Sequence, residues 1–209
     1  MKKEIIVATS NEHKVVELNA MLCDLDISFI TMAQAGIFED IEENGTTFRE
    51  NALIKARRVC ELSGKPSLAD DSGLSVDVLG GEPGIYSARY SGVEDKATRD
   101  KANNEKLLEN LKNISQSERT ARFVSAIALV LPDGSEHCVQ GVVEGYITFE
   151  ERGNGGFGYD PLFFVPEFSK TFGELTAEEK NSISHRKRAV AQIKKVITQL
   201  CDEGKLWKI

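Results

Sequence analysis

The sequence predicts an α/β protein whose strands gather in a central sheet with flanking helices. Three observations predict it. Over the first 75 residues, short apolar runs alternate with stretches of helical periodicity, giving strand, helix, strand, helix, strand. Two long apolar and β-branched runs, 121–131 and 136–149, flank the turn signal Pro132-Asp133-Gly134. A last helix is marked by Ala189, Ile193, Val196, Ile197 and Leu200.

Ile5-Ile6-Val7-Ala8 is apolar on both faces, as a buried strand requires. Thr9-Ser10-Asn11 ends it, and Val15, Leu18 and Leu22 follow at helical spacing, with Ser10 or Asn11 suited to the N-cap. Residues 26–32 form a second strand. Residues 38–44 are an acidic loop with Glu39, Asp40, Glu42 and Glu43, closed by Gly45. Thr47-Phe48-Arg49-Glu50 is a capping-box pattern, and Phe48, Ala52, Ala56 and Val59 mark one face of the helix it opens. Ser63-Gly64-Lys65-Pro66 stops that helix. Residues 66–69 enter as a strand and are expected to stop on Asp70-Asp71, with a turn begun by Ser72-Gly73. Residues 76–79 read as a short extended segment and 80–84 as a turn-rich connection. Arg89, between Tyr86 and Tyr90, faces a ligand or braces its loop, with bracing the preferred reading. Residues 98–111 read as a charged helix buried along Leu107, Leu108 and Leu111. The runs 121–131 and 136–149 make a long antiparallel hairpin. It extends the sheet and defines a second lobe, with a substrate cleft expected between the lobes of a single domain spanning 1–209.

The balance of 26 basic and 33 acidic side chains, a formal charge of −7, argues against a general nucleic-acid or membrane-surface binder. A small anion held by a local basic cluster stays compatible with it. Cys23, Cys60, Cys138 and Cys201 are far apart and form no CxxC pair, so reduced thiols in a cytoplasmic protein are expected rather than a zinc or redox site. No apolar run is long enough for a signal peptide or a membrane span.

Four features carry chemistry. The strand-to-helix turn at Thr9 presents free backbone N–H groups, a natural anion site. Lys14 falls in the first helical turn, where a cation opposes the macrodipole, a placement explained by a negative ligand between them. An exposed lysine on an ordinary helix is the other reading. Asp70 and Asp71 are hard oxygen donors suited to Mg²⁺, and either can serve as a general base toward a bound water. Taken alone, the pair reads first as a loop with two solvated acids. Gly153-Asn154-Gly155-Gly156-Phe157-Gly158-Tyr159-Asp160-Pro161 sets aromatic rings on a glycine scaffold. It is not a Walker loop, and such rings stack on planar bases or anchor a turn in the core. His185, Arg186, Lys187 and Arg188 put positive charge at a helix start, which favours an anion there for some of them and solvent for Lys187 and Arg188. A nucleoside triphosphate satisfies all four features.

Thr9-Ser10-Asn11-Glu12-His13-Lys14, Phe48-Arg49-Glu50-Asn51-Ala52, Ala69-Asp70-Asp71-Ser72-Gly73-Leu74, the run 80–90, Gly155-Gly156-Phe157-Gly158-Tyr159-Asp160-Pro161 and Ser184-His185-Arg186 together resemble the inosine/xanthosine triphosphate pyrophosphatase family. The match runs in order from the first strand to the last helix. Ser10 stands where glycine is common in the family. The resemblance implies a mixed α/β fold of two lobes around a cleft, usually a homodimer. It implies Mg²⁺-dependent hydrolysis of ITP, dITP and XTP to the monophosphate and pyrophosphate. It implies a phosphate turn at Thr9, Ser10, Asn11, Glu12, His13 and Lys14. Asp71 is implied as general base and metal ligand, with Asp70 supporting the metal and Ser72 touching substrate. A further metal carboxylate is expected in the acidic loop, where Glu42 fits best and Glu43 next. Phe157, Gly158, Tyr159 and Asp160 are implied to hold base and sugar, with Lys180, His185 and Arg186 completing the base pocket. A related pyrophosphatase of different base choice and a non-catalytic nucleotide sensor are the rival readings.

Overall fold

The computed structural model describes residues 3–9 and 12–207, the side chains of Glu12, His13, Lys14 and Glu17 excepted. Among the described residues, seven strands form one mixed sheet: β1 (Lys3–Val7), β2 (Ile27–Thr31), β3 (Ser67–Val76), β4 (Thr120–Val130), β5 (Glu136–Ile147), β6 (Phe163–Val165) and β7 (Lys170–Thr171). Their order is β2-β1-β3-β4-β5-β6-β7. The helices are α1 (Glu12–Met21), α2 (Phe48–Ser63), α3 (Arg99–Leu111), α4 (Ala177–Ile183) and α5 (His185–Asp202). The chain divides into two units. One is Met1–Asp71 with Ser125–Gly141 and Arg188–Ile209; the other is Ser72–Val124 with Val142–Lys187.

In the first unit β1 pairs parallel with both β2 and β3, Val7 lying opposite Thr31 on one side and Leu68 on the other. Alternation along the strands splits the core in two. Ile5, Val7, Leu68, Ile127 and Leu129 pack with Val15 and Leu18 of α1 and with Ala189, Ile193 and Ile197 of α5. Ile6, Ala8, Ala69, Ala126 and Ala128 pack with Ala52, Ala56 and Val59 of α2. The small side chains on this second face let α2 lie close to the sheet. From β1 the chain leaves to β2 on one side and later to β3 on the other. The carboxyl end of β1 is therefore a topological switch point, where open α/β sheets hold their ligands.

Thr47 caps α2 by accepting from Glu50 N at 3.1 Å. The reciprocal arm of the expected capping box reaches one residue further back, since Glu50 accepts from Thr46 N and Thr46 Oγ1 at 2.6 and 2.7 Å. Gly64 closes the helix in the left-handed region, its N–H reaching Cys60 O at 2.8 Å.

The second unit packs Leu74, Val76, Leu107, Leu111, Val143 and Ile147 around an aromatic cluster. Phe123, Phe163 and Phe172 have centroids 4.6–5.6 Å apart. Arg119 is fully buried and donates to the carbonyls of Leu111, Ile114 and Thr148 at 2.6–3.1 Å, closing the carboxyl end of α3. Arg89 lies 5.1 Å over the ring of Tyr86, the bracing contact expected for it.

Two sequence expectations are corrected here. β3 does not stop on the aspartates; it runs unbroken through Asp70-Asp71-Ser72-Gly73 to Val76. Residues 77–79, expected to be extended, form a 3₁₀ turn. Gly73 is a close approach within a strand, not a turn residue. A Cβ there would lie 2.3 Å from Ser87 Oγ and 2.8 Å from Gly84 O. Ser87 Oγ is already engaged, accepting from Leu74 N at 2.9 Å and donating to Gly84 O at 2.6 Å. Gly73→Ala is expected to destabilise the protein by roughly 1–3 kcal/mol, read as a fall in Tm by calorimetry; an unchanged Tm would contradict the crowding argument.

Candidate active site

The first unit builds a carboxylate site at the carboxyl end of β1 and the middle of β3. The register Val7 to Leu68 sets Thr9 level with Asp70. Both line a cavity of about 460 Å³, together with Met32, Ile37, Phe38, Glu43 and Lys55. Asp71 falls on the same strand face as Ala69, against which α2 packs.

α2 meets this face with a polar stripe, Asn51, Lys55 and Arg58, at helical spacing beside its apolar one. Asn51 is fully buried. Its Nδ2 donates to Asp71 Oδ2 at 3.3 Å, and its Oδ1 accepts from Gly45 N at 2.9 Å. Lys55 Nζ is 3.3 Å from Asp71 Oδ1 and 3.3 Å from Glu43 Oε1. Arg58 holds Glu39 through two hydrogen bonds of 2.6 and 2.8 Å. One helix thus fixes both the acidic loop and the strand carboxylate.

Sequence reasoning assigned no role to Asn51 or Lys55. The available signal was their four-residue spacing along the edge of the apolar stripe. Of the two loop glutamates, Glu43 reaches Lys55 while Glu42 is exposed. The structure therefore brings Glu43, rather than Glu42, to Asp71.

Burial pushes the Asp71 carboxyl up to about 6. Lys55 pulls it down, Glu43 pushes it up, and the hydrogen bonds from Asn51 and Lys55 pull it down. A carboxylate poised there can take a proton from water near neutral pH.

Among the described residues no three acidic, histidine or cysteine side chains converge into a metal cage. Mg²⁺ does not need one, because it is commonly held by one or two carboxylates with waters and phosphate oxygens. Asp71 and Glu43, gathered on one lysine, are hard donors whose negative charge Lys55 offsets only in part, and Asp70 lines the cavity beside Glu43 and Lys55. That donor set fits the ion. Ser10 and Asn11 lie outside the described residues, as do the side chains of Glu12, His13 and Lys14. The backbone of the latter three forms the first turn of α1.

In the second unit the glycine-rich loop is built around Asp160, which is 3% exposed. Asp160 Oδ2 accepts from Phe157 N at 2.8 Å and from Lys180 Nζ at 2.5 Å. Burial raises its pKa, while Lys180, Phe157 N–H and Arg186 lower it. Gly156 makes this closure possible, since a Cβ there would lie 2.0 Å from Asp160 Oδ2. Lys180 Nζ sits 4.8 Å over the ring of Phe157 and 5.6 Å over that of Phe172. Phe157 is 67% exposed, whereas Tyr159 is buried and donates from its hydroxyl to Ser87 O at 2.9 Å. Of the two rings, Phe157 is free to stack on a ligand, and Tyr159 anchors.

His185 stacks on Phe123 at 5.0 Å and 12°. Ser184 Oγ accepts from Lys187 N at 3.1 Å and so caps α5. His185 and Arg186 are half-buried, while Lys187 and Arg188 are exposed, as expected. Ser72 is half-buried in β3, directly after Asp71. No described helix is long and apolar enough to cross a membrane.

A half-buried carboxylate of raised pKa near a switch point, and a glycine-rich loop that exposes an aromatic ring beside a basic helix start, are the features of a nucleotide-handling α/β protein. The sequence pattern of the Ham1 family matches residues 5–196, and the chain belongs to that family. It is 50% identical over 193 residues to the dITP/XTP pyrophosphatase of Halalkalibacterium halodurans, covering 92% of this chain and 98% of that protein. It is 48% identical over 195 residues to the dITP/XTP pyrophosphatase of Bacillus subtilis strain 168, covering 93% and 97%. The solved structure of a HAM1 protein from Coxiella burnetii superposes with a TM-score of 0.88 at 43% identity, covering 94% and 99%.

Proposed function

We propose that this protein hydrolyses dITP, ITP and XTP to the nucleoside monophosphate and pyrophosphate, removing deaminated purine nucleotides. The observation that carries the reading is the poised Asp71, held by Asn51 and Lys55 beside Glu43. The kinship to dITP/XTP pyrophosphatases over more than 90% of the chain supports the substrate class.

Asp71 orients a water and accepts its proton. The water oxygen bonds to the α-phosphorus, the bond to the bridging oxygen breaks, and pyrophosphate leaves. Lys55, with Lys14 and the backbone of the turn after Thr9, offsets charge on the phosphates. Asp71 and Glu43, with Asp70, would hold Mg²⁺; when bound, the ion neutralises charge developing on the phosphates. Ser72 would contact the substrate.

Phe157 stacks on the base. Arg186 and His185 offer donors to the oxygen at position six of hypoxanthine and xanthine. Adenine carries an amino group there, and two donors facing each other leave both unmatched. Lys180 and Asp160 fix the loop that carries Phe157. A homodimer belongs to the same reading and rests on the resemblance, and a cytoplasmic location rests on the four scattered cysteines; sedimentation analysis tests the dimer.

Arg186→Ala tests the base reading. It is expected to raise KM for dITP roughly tenfold, the scale of one lost hydrogen bond to a charged group. Inhibition by pyrophosphate should change little. Equal loss of both would remove Arg186 from base recognition, and dATP turned over as fast as dITP by the wild type would overturn the substrate assignment.

A further inference from the structure

We propose that α3 is the positioning element of the base-binding loop, with Asp100 and Asn104 setting substrate selectivity through Gly158. The proposal rests on the reading of that loop given above. α3 supplies no group to the chemistry, yet both backbone polar groups of Gly158 are taken by its side chains. Gly158 N donates to Asp100 Oδ2 at 2.8 Å, and Gly158 O accepts from Asn104 Nδ2 at 3.1 Å. Asp100 and Asn104 are four residues apart, so they lie one above the other on a single face of the helix.

Asn104 Nδ2 also donates to Glu151 Oε1 at 2.7 Å, which ties the start of the loop to its middle. Asn104 is 3% exposed, and its Oδ1 is buried with no hydrogen-bond partner among the described residues. Its orientation is still determined, because turning the amide over would set Oδ1 against the acceptors of Glu151 and Gly158. The next residue along, Asn103, donates to Ser87 O at 3.2 Å, the same carbonyl that receives the Tyr159 hydroxyl. The helix therefore holds the loop on both sides of Phe157, at Glu151 and at Gly158 with Tyr159.

This grip matters because of the loop's composition. Glycines at 153, 155, 156 and 158 leave its backbone with many alternative conformations, and an exposed ring at Phe157 is only as well placed as its neighbours. Gly158, at φ +59°, is the residue directly after that ring. Its N–H is spent on α3, and its carbonyl is held there through one lone pair. Its part in recognition is to aim Phe157.

Steady-state kinetics of Asp100→Ala and Asn104→Ala test this, with Asp100→Asn as the rescue variant, since its amide oxygen can still accept from Gly158 N. KM for dITP is expected to rise about tenfold in each alanine variant, with kcat within threefold, one loop hydrogen bond being worth about that factor. The Asn variant should return KM to near the wild-type value. Inorganic tripolyphosphate, which has no base, should inhibit wild type and variants with the same Ki. A merely structural role would act differently, lowering the active fraction and hence apparent kcat while leaving KM unchanged. An unchanged KM, or a Ki for tripolyphosphate that rises with KM, overturns the proposal. Asp100 is only half-buried, so its variants keep the test open should Asn104→Ala fold poorly. Wild-type protein that ignores dITP would instead overturn the function on which the proposal rests.

Discussion

Asp71→Asn is expected to remove turnover and, at the same time, to make the metal-free protein more stable. A general base contributes roughly 10²–10⁴ to rate, and the asparagine cannot accept the proton. The stability gain follows from linkage. In the folded protein the carboxyl sits at about 6; in the unfolded chain it returns to the ordinary value near 3.9. The folded state therefore binds the proton more tightly. The associated stability is fully present below about pH 4 and is lost as pH rises through about 6. Above that, wild type carries a half-buried anion at a cost of roughly 1–3 kcal/mol, which asparagine does not carry. In chelator, urea unfolding should show Asp71→Asn more stable than wild type at pH 7.5 and no more stable at pH 4. A variant less stable at pH 7.5 would mean that Lys55 and Asn51 stabilise the anion more than burial opposes it.

Lys55→Met carries the second large effect. Lys55 stands 3.3 Å from an oxygen of each of Asp71 and Glu43, with its side chain 12% exposed. Methionine keeps the length of the stem against α2 and removes the charge. Asp71 then loses its principal counter-charge while Glu43 still pushes its pKa upward. At pH 7 kcat/KM should fall by roughly 10²-fold, the scale of a lost electrostatic donor at the reacting groups. The acid limb of the pH profile should move to higher pH, because the base must ionise beside an acid with less positive charge nearby. A limb that stays in place would show that Lys55 acts on the substrate alone and not on Asp71.

The first unit was legible because its signals are local. Ile5 to Ala8, the Val15–Leu18–Leu22 spacing and the Thr47 cap each act within a few residues, and the fold keeps them. The length of β3 was not legible. Ser72-Gly73 has the composition of a turn, and the distant Gly84 and Ser87, whose carbonyl and Oγ a side chain at 73 would meet, explain a glycine inside a strand. β6, β7 and α4 are too short for periodicity to register, although Thr176 and Glu179 do form the reciprocal capping box of α4.

At the site, the Asp70-Asp71 pair was visible as two adjacent hard donors after an apolar run, and the resemblance singled out Asp71. Asn51 was visible only as part of a segment that carries the resemblance, and Lys55 was hidden, because a polar residue beside an apolar stripe is ordinary on any surface helix. The choice between Glu42 and Glu43 depends on where Lys55 points, which no local pattern contains. In the glycine-rich loop the aromatic pair was visible. Its division into an exposed Phe157 and a buried Tyr159 depends on Ser87 and α3, far away in sequence.

The central claim is attack by water on the α-phosphorus, and hydrolysis of dITP in ¹⁸O-labelled water with Mg²⁺ tests it most directly. Mass spectrometry of the products should find the label in dIMP and none in pyrophosphate, with no release in Asp71→Asn. Label in pyrophosphate would mean attack at the β-phosphorus, and labelled orthophosphate attack at the γ-phosphorus. Either result would contradict the role assigned to Asp71.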